Sequence, residues 1–202
     1  MKRVELDRRA KAVFRRHRGV LRTSQALKLG IHPRILYHLR DTGWLVAVTR
    51  GVYRRADLPE PSHPDLLVVA RRVPQAVMCL ISALSFHGLT TQIPHEVQIA
   101  LPRRTRYPRL DHPPLRVFLM TGAAYTEGIE THSIEGIPLR VYDPAKTVVD
   151  CFKFRNKIGI DVAVEALRLA RERKHVTPRA LLQYARLCRV ERVMRPYLEA
   201  LT

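Results

Sequence analysis

From Val20 to Arg55 the chain (VLRTSQALKLGIHPRILYHLRDTGWLVAVTRGVYRR) sets two short apolar-periodic segments on either side of a glycine, then a ribbon rich in Val, Trp and Tyr. Thr23 or Ser24 is expected to cap a helix running to Leu29, because a hydroxyl there accepts a hydrogen bond from an unpaired first-turn amide. Gly30 ends that helix, since glycine tolerates the left-handed conformation past a helix C-terminus. His32 or Pro33 opens the next helix; proline's missing N–H costs nothing at the first helical position. In it Ile35, Leu36 and Leu39 fall at helical spacing and face inward, leaving Arg34, Tyr37, His38 and Arg40 on other faces. After Gly43, Trp44–Val48 and Gly51–Arg54 read as two short strands joined through Thr49, Arg50 and Gly51. Helix, turn, helix and ribbon is the order of a winged helix-turn-helix, whose second helix enters the DNA major groove while the wing lies along the backbone or in the minor groove. The bland alternative is a small helical subdomain with a solvated basic face, because a helix pair alone occurs in many folds.

Charge favours the first reading. The chain of 202 residues carries a formal net charge of +18, which points to a polyanionic partner, nucleic acid ahead of an anionic membrane surface. Residues 1–62 hold 15 Lys and Arg against 5 Asp and Glu, so the positive charge is densest around the helix pair. With 46% hydrophobic residues the chain can bury a core, which argues against disorder. No apolar run approaches the roughly 20 residues needed to cross a bilayer; the longest, around Ala76–Leu84, is broken by Ser82. The opening MKRVELDRRAKAVFRRHRG mixes charges throughout, unlike a secretory signal, and its Leu6, Ala10, Val13 and Phe14 mark one helical face. Cys79, Cys151 and Cys188 are odd in number, far apart and flanked by apolar residues, which suits buried thiols in a reducing cytoplasm.

Leu58–Pro64 (LPEPSHP) holds three prolines in seven residues and reads as a linker, placing a domain boundary between residues 60 and 61. Beyond it the pattern predicts helices over Pro64–Arg72 and from about Ser82 to Gly88. Strands follow at Glu96–Leu101, Leu115–Met120, Ile129–Ile134 and Ile137–Tyr142, the last two flanking a two-residue turn at Glu135 and Gly136. Asp143–Pro144 and Thr177–Pro178 are cap-and-first-turn signals for two more helices, with another over about Ile160–Arg173 between them. Val190, Val193, Met194, Tyr197, Leu198 and Leu201 form the cleanest amphipathic stripe, most often a core face. The fold class expected is α+β: an N-terminal winged helix-turn-helix over residues 1–60, then a mixed α+β domain over 61–202 that ends in a helical segment.

Arg34, at the start of the second helix, is the first choice for direct base readout, because a guanidinium bonds guanine O6 and N7 bidentately. Tyr37 and His38 lie a turn further on. Arg22, Thr23, Ser24 and Arg40 are expected to serve phosphates, which position a protein without reading sequence. Arg50, Arg54 and Arg55 belong to the wing, and Trp44 anchors the ribbon to the core. Arg103, Arg104, Arg106 and Arg109 surround Tyr107 in a proline-bounded stretch that reads equally as a second basic surface or a solvated loop. Lys153, Arg155 and Lys157 add further cations open to an acidic partner. The nine histidines contain no H-x-x-x-H pair, no two cysteines are closely spaced, and no Gly-rich phosphate loop or nucleophile elbow occurs. Asp143 is accounted for by capping, and Asp150 lies two turns along the same helix. The reading is a non-enzymatic protein with no metal and no cofactor.

The order of these pieces resembles the AbiEi-type antitoxins, the repressor halves of bacterial AbiE abortive-infection toxin-antitoxin systems. The resemblance covers the opening helix, HRGVLRTSQALKLGIHPRILYHLRDTGWLVAVTRGVYRR, the following SALSFHGL, and IEGIPLRVYDPAKTVVDCFKF, whose D-P-x-K-T-hydrophobic-hydrophobic-D pattern is Asp143, Pro144, Lys146, Thr147, Val148, Val149 and Asp150. It implies a cytoplasmic protein with two jobs. The N-terminal domain would repress its own operon by binding inverted repeats in double-stranded promoter DNA. The C-terminal domain would neutralise an AbiEii-like nucleotidyltransferase toxin, with or without direct contact. The rival among binding proteins is an ordinary winged-helix transcriptional regulator whose second domain senses a ligand or dimerises. The rival outside that class is a nucleic-acid-processing enzyme.

Overall fold

The computed structural model describes residues 2–59, 63–174 and 176–200. The chain divides into two compact units, Met1–Arg71 with Ser133–Pro138, and Arg72–His132 with Leu139–Thr202. The expected boundary between residues 60 and 61 falls on 60–62, outside the described residues.

The first unit runs α1 (Lys2–Arg16), β1 (Val20–Arg22), α2 (Thr23–Lys28), α3 (Pro33–Asp41), β2 (Leu45–Thr49), β3 (Val52–Arg55) and α4 (Pro64–Arg72). Its strands form an antiparallel sheet in the order β1-β3-β2. β1 was not foreseen, because three residues are too few to show an alternating pattern. Phe14, Leu36 and Leu39 are wholly or almost wholly buried and share a core with Ala10, Leu21 and Ala26. Truncating Leu36 to alanine there would cost about 2–5 kcal/mol, as lost burial plus a residual cavity. Leu6, read on one helical face with Ala10, Val13 and Phe14, is 48% exposed; among the described residues α1 meets the core through those other three. The Ser133–Pro138 segment of this unit contains the two-residue turn, where Glu135 (φ 50°) and Gly136 (φ 71°) both take the left-handed conformation such a hairpin turn requires.

The second unit contains β4 (Val77–Met78), α5 (Leu80–His87), β5 (Val97–Pro102), β6 (Leu115–Met120) and α6 (Ala123–Thr126). It continues through β7 (Ile129–Ile134) and β8 (Ile137–Tyr142), whose facing ends at 133–134 and 137–138 belong to the first unit, and then α7 (Pro144–Lys153), α8 (Arg155–Ile158), α9 (Ile160–Lys174), α10 (Pro178–Leu187) and α11 (Glu191–Ala200). The mixed sheet has the order β6-β5-β4-β8-β7, with β5 parallel to β6, β4 parallel to β8 and β4 antiparallel to β5. Helix α7 packs against α5, α9 and α10, so eight consecutive side chains, Ala145 to Phe152, are buried on every face. Both sequence-read caps form: the Asp143 carboxylate accepts the Lys146 N–H at 2.8 Å, and the Thr177 hydroxyl accepts the Ala180 N–H at 3.2 Å. Met194 and Leu198 of α11 lie in the core of this unit, with Val193 and Tyr197 packed against it, while Leu201 falls outside the described residues. No helix among the described residues is long and apolar enough to cross a membrane.

Candidate nucleic-acid interface

Helix α2 ends at Lys28 with Leu29 as its cap, Gly30 turns with φ 80°, and the Ile31 N–H reaches back to the Ala26 carbonyl at 2.9 Å, closing the turn. Pro33 then opens α3 at its first position, with His32 as the cap: His32 Nδ1 accepts the Arg34 N–H at 3.2 Å. Leu36 and Leu39 fill the inner face, Ile35 packs partly against the same core, and Arg34, Tyr37 and Arg40 project outward. Tyr37 is 47% exposed, and the Arg40 guanidinium lies 5.4 Å from its ring centroid. Arg40 also bonds the Asp41 carboxylate at 2.9 and 2.7 Å, which raises its pKa above the ordinary arginine value. Arg34 is exposed and has no ion pair among the described residues.

The wing is tied to the first helix of the pair. Gly51, at φ 79° in the β2–β3 turn, offers a carbonyl that accepts both the Thr23 N–H at 2.9 Å and the Thr23 hydroxyl at 3.3 Å. Thr23 is thus the first residue of α2 and a strap to the wing, and the capping position falls on Arg22, whose N–H donates to Gln25 Oε1 at 3.0 Å. The cause is that β1 runs straight into α2, so the last extended residue before the helix is Arg22. Ser24 is exposed on the first turn, and Arg50 is exposed beside Gly51 with no ion pair among the described residues.

Four other residues expected at this surface are engaged within the unit. Arg54 is 6% exposed; its guanidinium donates to the Leu58 carbonyl and to the Pro59 carbonyl at 2.8 Å, with Nε 4.0 Å from Glu135. As the middle strand, β3 has neighbours on both sides, and Val52, Tyr53 and Arg54 are all buried. Arg22 donates from Nη2 to the Gly136 carbonyl. His38 turns toward α1, with Nε2 3.3 Å from the Asp7 carboxylate. Arg55 is paired with Asp57, whose pKa is lowered by that hydrogen bond, and its guanidinium lies 5.9 Å from the Trp44 ring centroid. Trp44 itself packs edge-on to Phe14 at 6.0 Å, the anchoring role read for it.

In the second unit, Arg103, Arg104, Arg106 and Arg109 are all exposed in the segment after β5, with Tyr107 58% exposed among them. Lys153 and Lys157 sit over the Phe154 ring at 5.7 and 5.9 Å, and Arg155 donates to the Phe152 carbonyl at 3.0 Å. The acids are elsewhere. Asp143 caps α7 and accepts the Tyr184 hydroxyl at 2.7 Å, and Asp150 is wholly buried against Lys146 at 2.5 Å. Burial pushes the Asp150 carboxyl up while the Lys146 ammonium opposes it, and burial likewise pushes up the Cys79, Cys151 and Cys188 thiols. A buried thiol held in its neutral form is a small hydrophobe and a poor nucleophile. Among the described residues no group of three or more His, Cys, Asp or Glu could hold a metal ion.

Sequence reasoning missed two features. His32 was read only as a possible helix start, although a side-chain acceptor just before Pro33 is itself the cap signal. The Glu135–Gly136 turn was read only as a hairpin, and no local pattern could have assigned it to the first unit.

Helices α1 to α3, a three-stranded antiparallel sheet and a basic outward face on α3 define a winged helix-turn-helix unit, followed here by a mixed α+β unit. Residues 8–56, within the N-terminal unit, match a family model described as "Transcriptional regulator, AbiEi antitoxin". Among solved structures, the RV2827C protein of Mycobacterium tuberculosis is similar at 18% identity and a TM-score of 0.52, over 91% of this chain and 76% of that one. At that identity the likeness is one of fold, and it extends over both units. No curated protein matches the chain.

Proposed function

We propose that the protein is an antitoxin that represses its own operon through the N-terminal unit and neutralises a nucleotidyltransferase-like toxin through the C-terminal one. The observation that carries this reading is the outward face of α3, where Arg34, Tyr37 and Arg40 stand together in a unit matching the AbiEi regulator family. In it α3 enters the major groove of promoter DNA with inverted repeats, and Arg34, in its first turn, reads a base edge. Ser24, Arg40 and Arg50 hold phosphates on either side. Arg22, Arg54, Arg55 and His38 support the interface from within, because each is tied to a carbonyl or carboxylate of its own unit and is less exposed than Arg40. Tyr37 lends an aromatic face to Arg40 at the groove wall.

Neutralisation needs no catalytic residue of this chain. The exposed Arg103, Arg104, Arg106 and Arg109, with Lys153, Arg155 and Lys157, supply a basic surface suited to an acidic partner. Work is divided near the proline-rich Leu58–Pro64 segment, and both activities belong to the cytoplasm, where promoter and toxin are found.

Co-expression with the reading frame beside this gene tests the whole proposal. Restored growth in the presence of a nucleotidyltransferase-like toxin supports it, and an absence of protection contradicts it. Operator binding should weaken steeply with salt, by a slope of about −0.9 in log K per neutralised phosphate. Binding indifferent to salt would contradict the DNA-binding half.

A further inference from the structure

We propose that His32 is itself a DNA-reading residue, donating from Nε2 to an acceptor on a base edge next to the one met by Arg34. The proposal rests on the DNA-binding reading above. His32 caps α3 with extended backbone (φ −69°, ψ 144°), and its Nδ1 accepts the Arg34 N–H at 3.2 Å. A neutral imidazole has one protonated nitrogen and one bare one. The cap consumes the bare nitrogen at Nδ1, so the proton resides on Nε2. His32 is exposed, and Nε2 has no hydrogen-bond partner among the described residues. One side chain therefore both satisfies a first-turn amide and presents an N–H donor of fixed tautomer.

The position gives that donor its use. Residues at the N-terminus of a recognition helix are the ones that meet base edges. The major groove offers acceptors there, guanine O6 and N7, adenine N7 and thymine O4. A serine at this cap would satisfy the same amide but would end at the hydroxyl, short of the groove. Pro33 fixes the backbone on the following residue, so the imidazole is held by the cap bond on one side and a rigid φ on the other. Arg34 and His32 would thus form a two-residue reading head whose geometry is set before DNA arrives.

The test uses the full chain, a promoter duplex and a scrambled duplex of equal length. His32→Ser keeps the cap and removes the donor, so it should melt with the wild type. It should bind the promoter roughly three- to tenfold more weakly, the worth of a single net hydrogen bond, with binding to scrambled DNA unchanged. Long-range proton–nitrogen NMR of the His32 ring should show the Nε2–H tautomer, with that proton protected from exchange only in the promoter complex. Promoter binding by His32→Ser equal to wild type overturns the proposal. So does an equal loss on both duplexes, which would make His32 a phosphate contact, or an Nδ1–H tautomer in the free protein. A wild type that fails to prefer its promoter overturns the DNA-binding reading and this proposal together, whereas an intact preference with an indifferent His32→Ser overturns this one alone.

Discussion

Lys146 Nζ lies 2.5 Å from Asp150 Oδ2, one turn apart on α7, and both side chains are wholly buried. The ammonium also stands 4.1 Å from the Tyr142 ring centroid, and the second carboxylate oxygen is 3.6 Å from Cys188 Sγ. Removing one partner strands the other as a buried charge without compensation. Lys146→Met or Asp150→Leu alone should therefore cost about 3–5 kcal/mol, while the double variant should recover most of the loss. Chemical denaturation of the two singles and the double closes the cycle; additive losses would show that the pair is not coupled.

Asp143 is a cap with a second duty. Its carboxylate takes both the Lys146 N–H and the Tyr184 hydroxyl, linking the start of α7 to α10. Asp143→Ala should lower stability by roughly 0.5–2 kcal/mol through the lost cap alone. Tyr184→Phe should cost about 0.5–1.5 kcal/mol, the worth of one net hydrogen bond. Toxin protection measured beside the melting temperature should track stability in both; a loss of protection at unchanged stability would point to chemistry at Asp143.

These two sites also show what could be read in the chain and what could not. The Asp143–Pro144 and Thr177–Pro178 signals were legible because capping is local: the acceptor and its amide lie within one turn. The helix pair was legible for the same reason, through Gly30, Pro33 and the spacing of Leu36 and Leu39. The burial of Lys146 and Asp150 was not. An i,i+4 Lys and Asp on a helix reads as a solvated pair, and only the packing of α5, α9 and α10 around α7 removes every exposed face. The two-residue β4 is equally silent, since it exists through pairing with β5 and β8, distant in sequence. The burial of Arg54 was not legible either, because an exposed wing arginine and a mid-sheet arginine have the same sequence neighbours; the carbonyls of Leu58 and Pro59 hold it inward.

Arg50 and Arg54 should consequently separate on substitution. Arg50→Ala should leave the melting temperature unchanged and reduce the salt slope of DNA binding by about 0.9, the loss of one phosphate contact. Arg54→Ala should destabilise the chain by about 1–3 kcal/mol, because the Leu58 and Pro59 carbonyls lose a donor in a buried setting. Thermal melts and salt titrations of both variants check this, and the reverse pattern would return Arg54 to the wing surface.

Glu135 gives a pH dependence of definite sign. Burial pushes its carboxyl above the ordinary glutamate value of 4.5, with Arg54 opposing the shift. Between 4.5 and the raised value the folded chain holds a proton that the unfolded chain has released. This group's contribution therefore favours folding at low pH and is lost as pH rises through that window. Glu135→Gln should remove that component, so the stability difference, variant minus wild type, should grow as pH rises above 4.5 and then level off. A difference that is flat across the carboxylate range would contradict the burial of this side chain.

The most direct measurement of the central claim, that α3 reads promoter DNA from its N-terminal turn, is the affinity of Arg34→Ala for promoter and scrambled duplexes beside its melting temperature. The account predicts a loss of about 1–3 kcal/mol on the promoter, a smaller loss on the scrambled duplex and an unchanged melt. Equal losses on the two duplexes, or no loss on either, would contradict it.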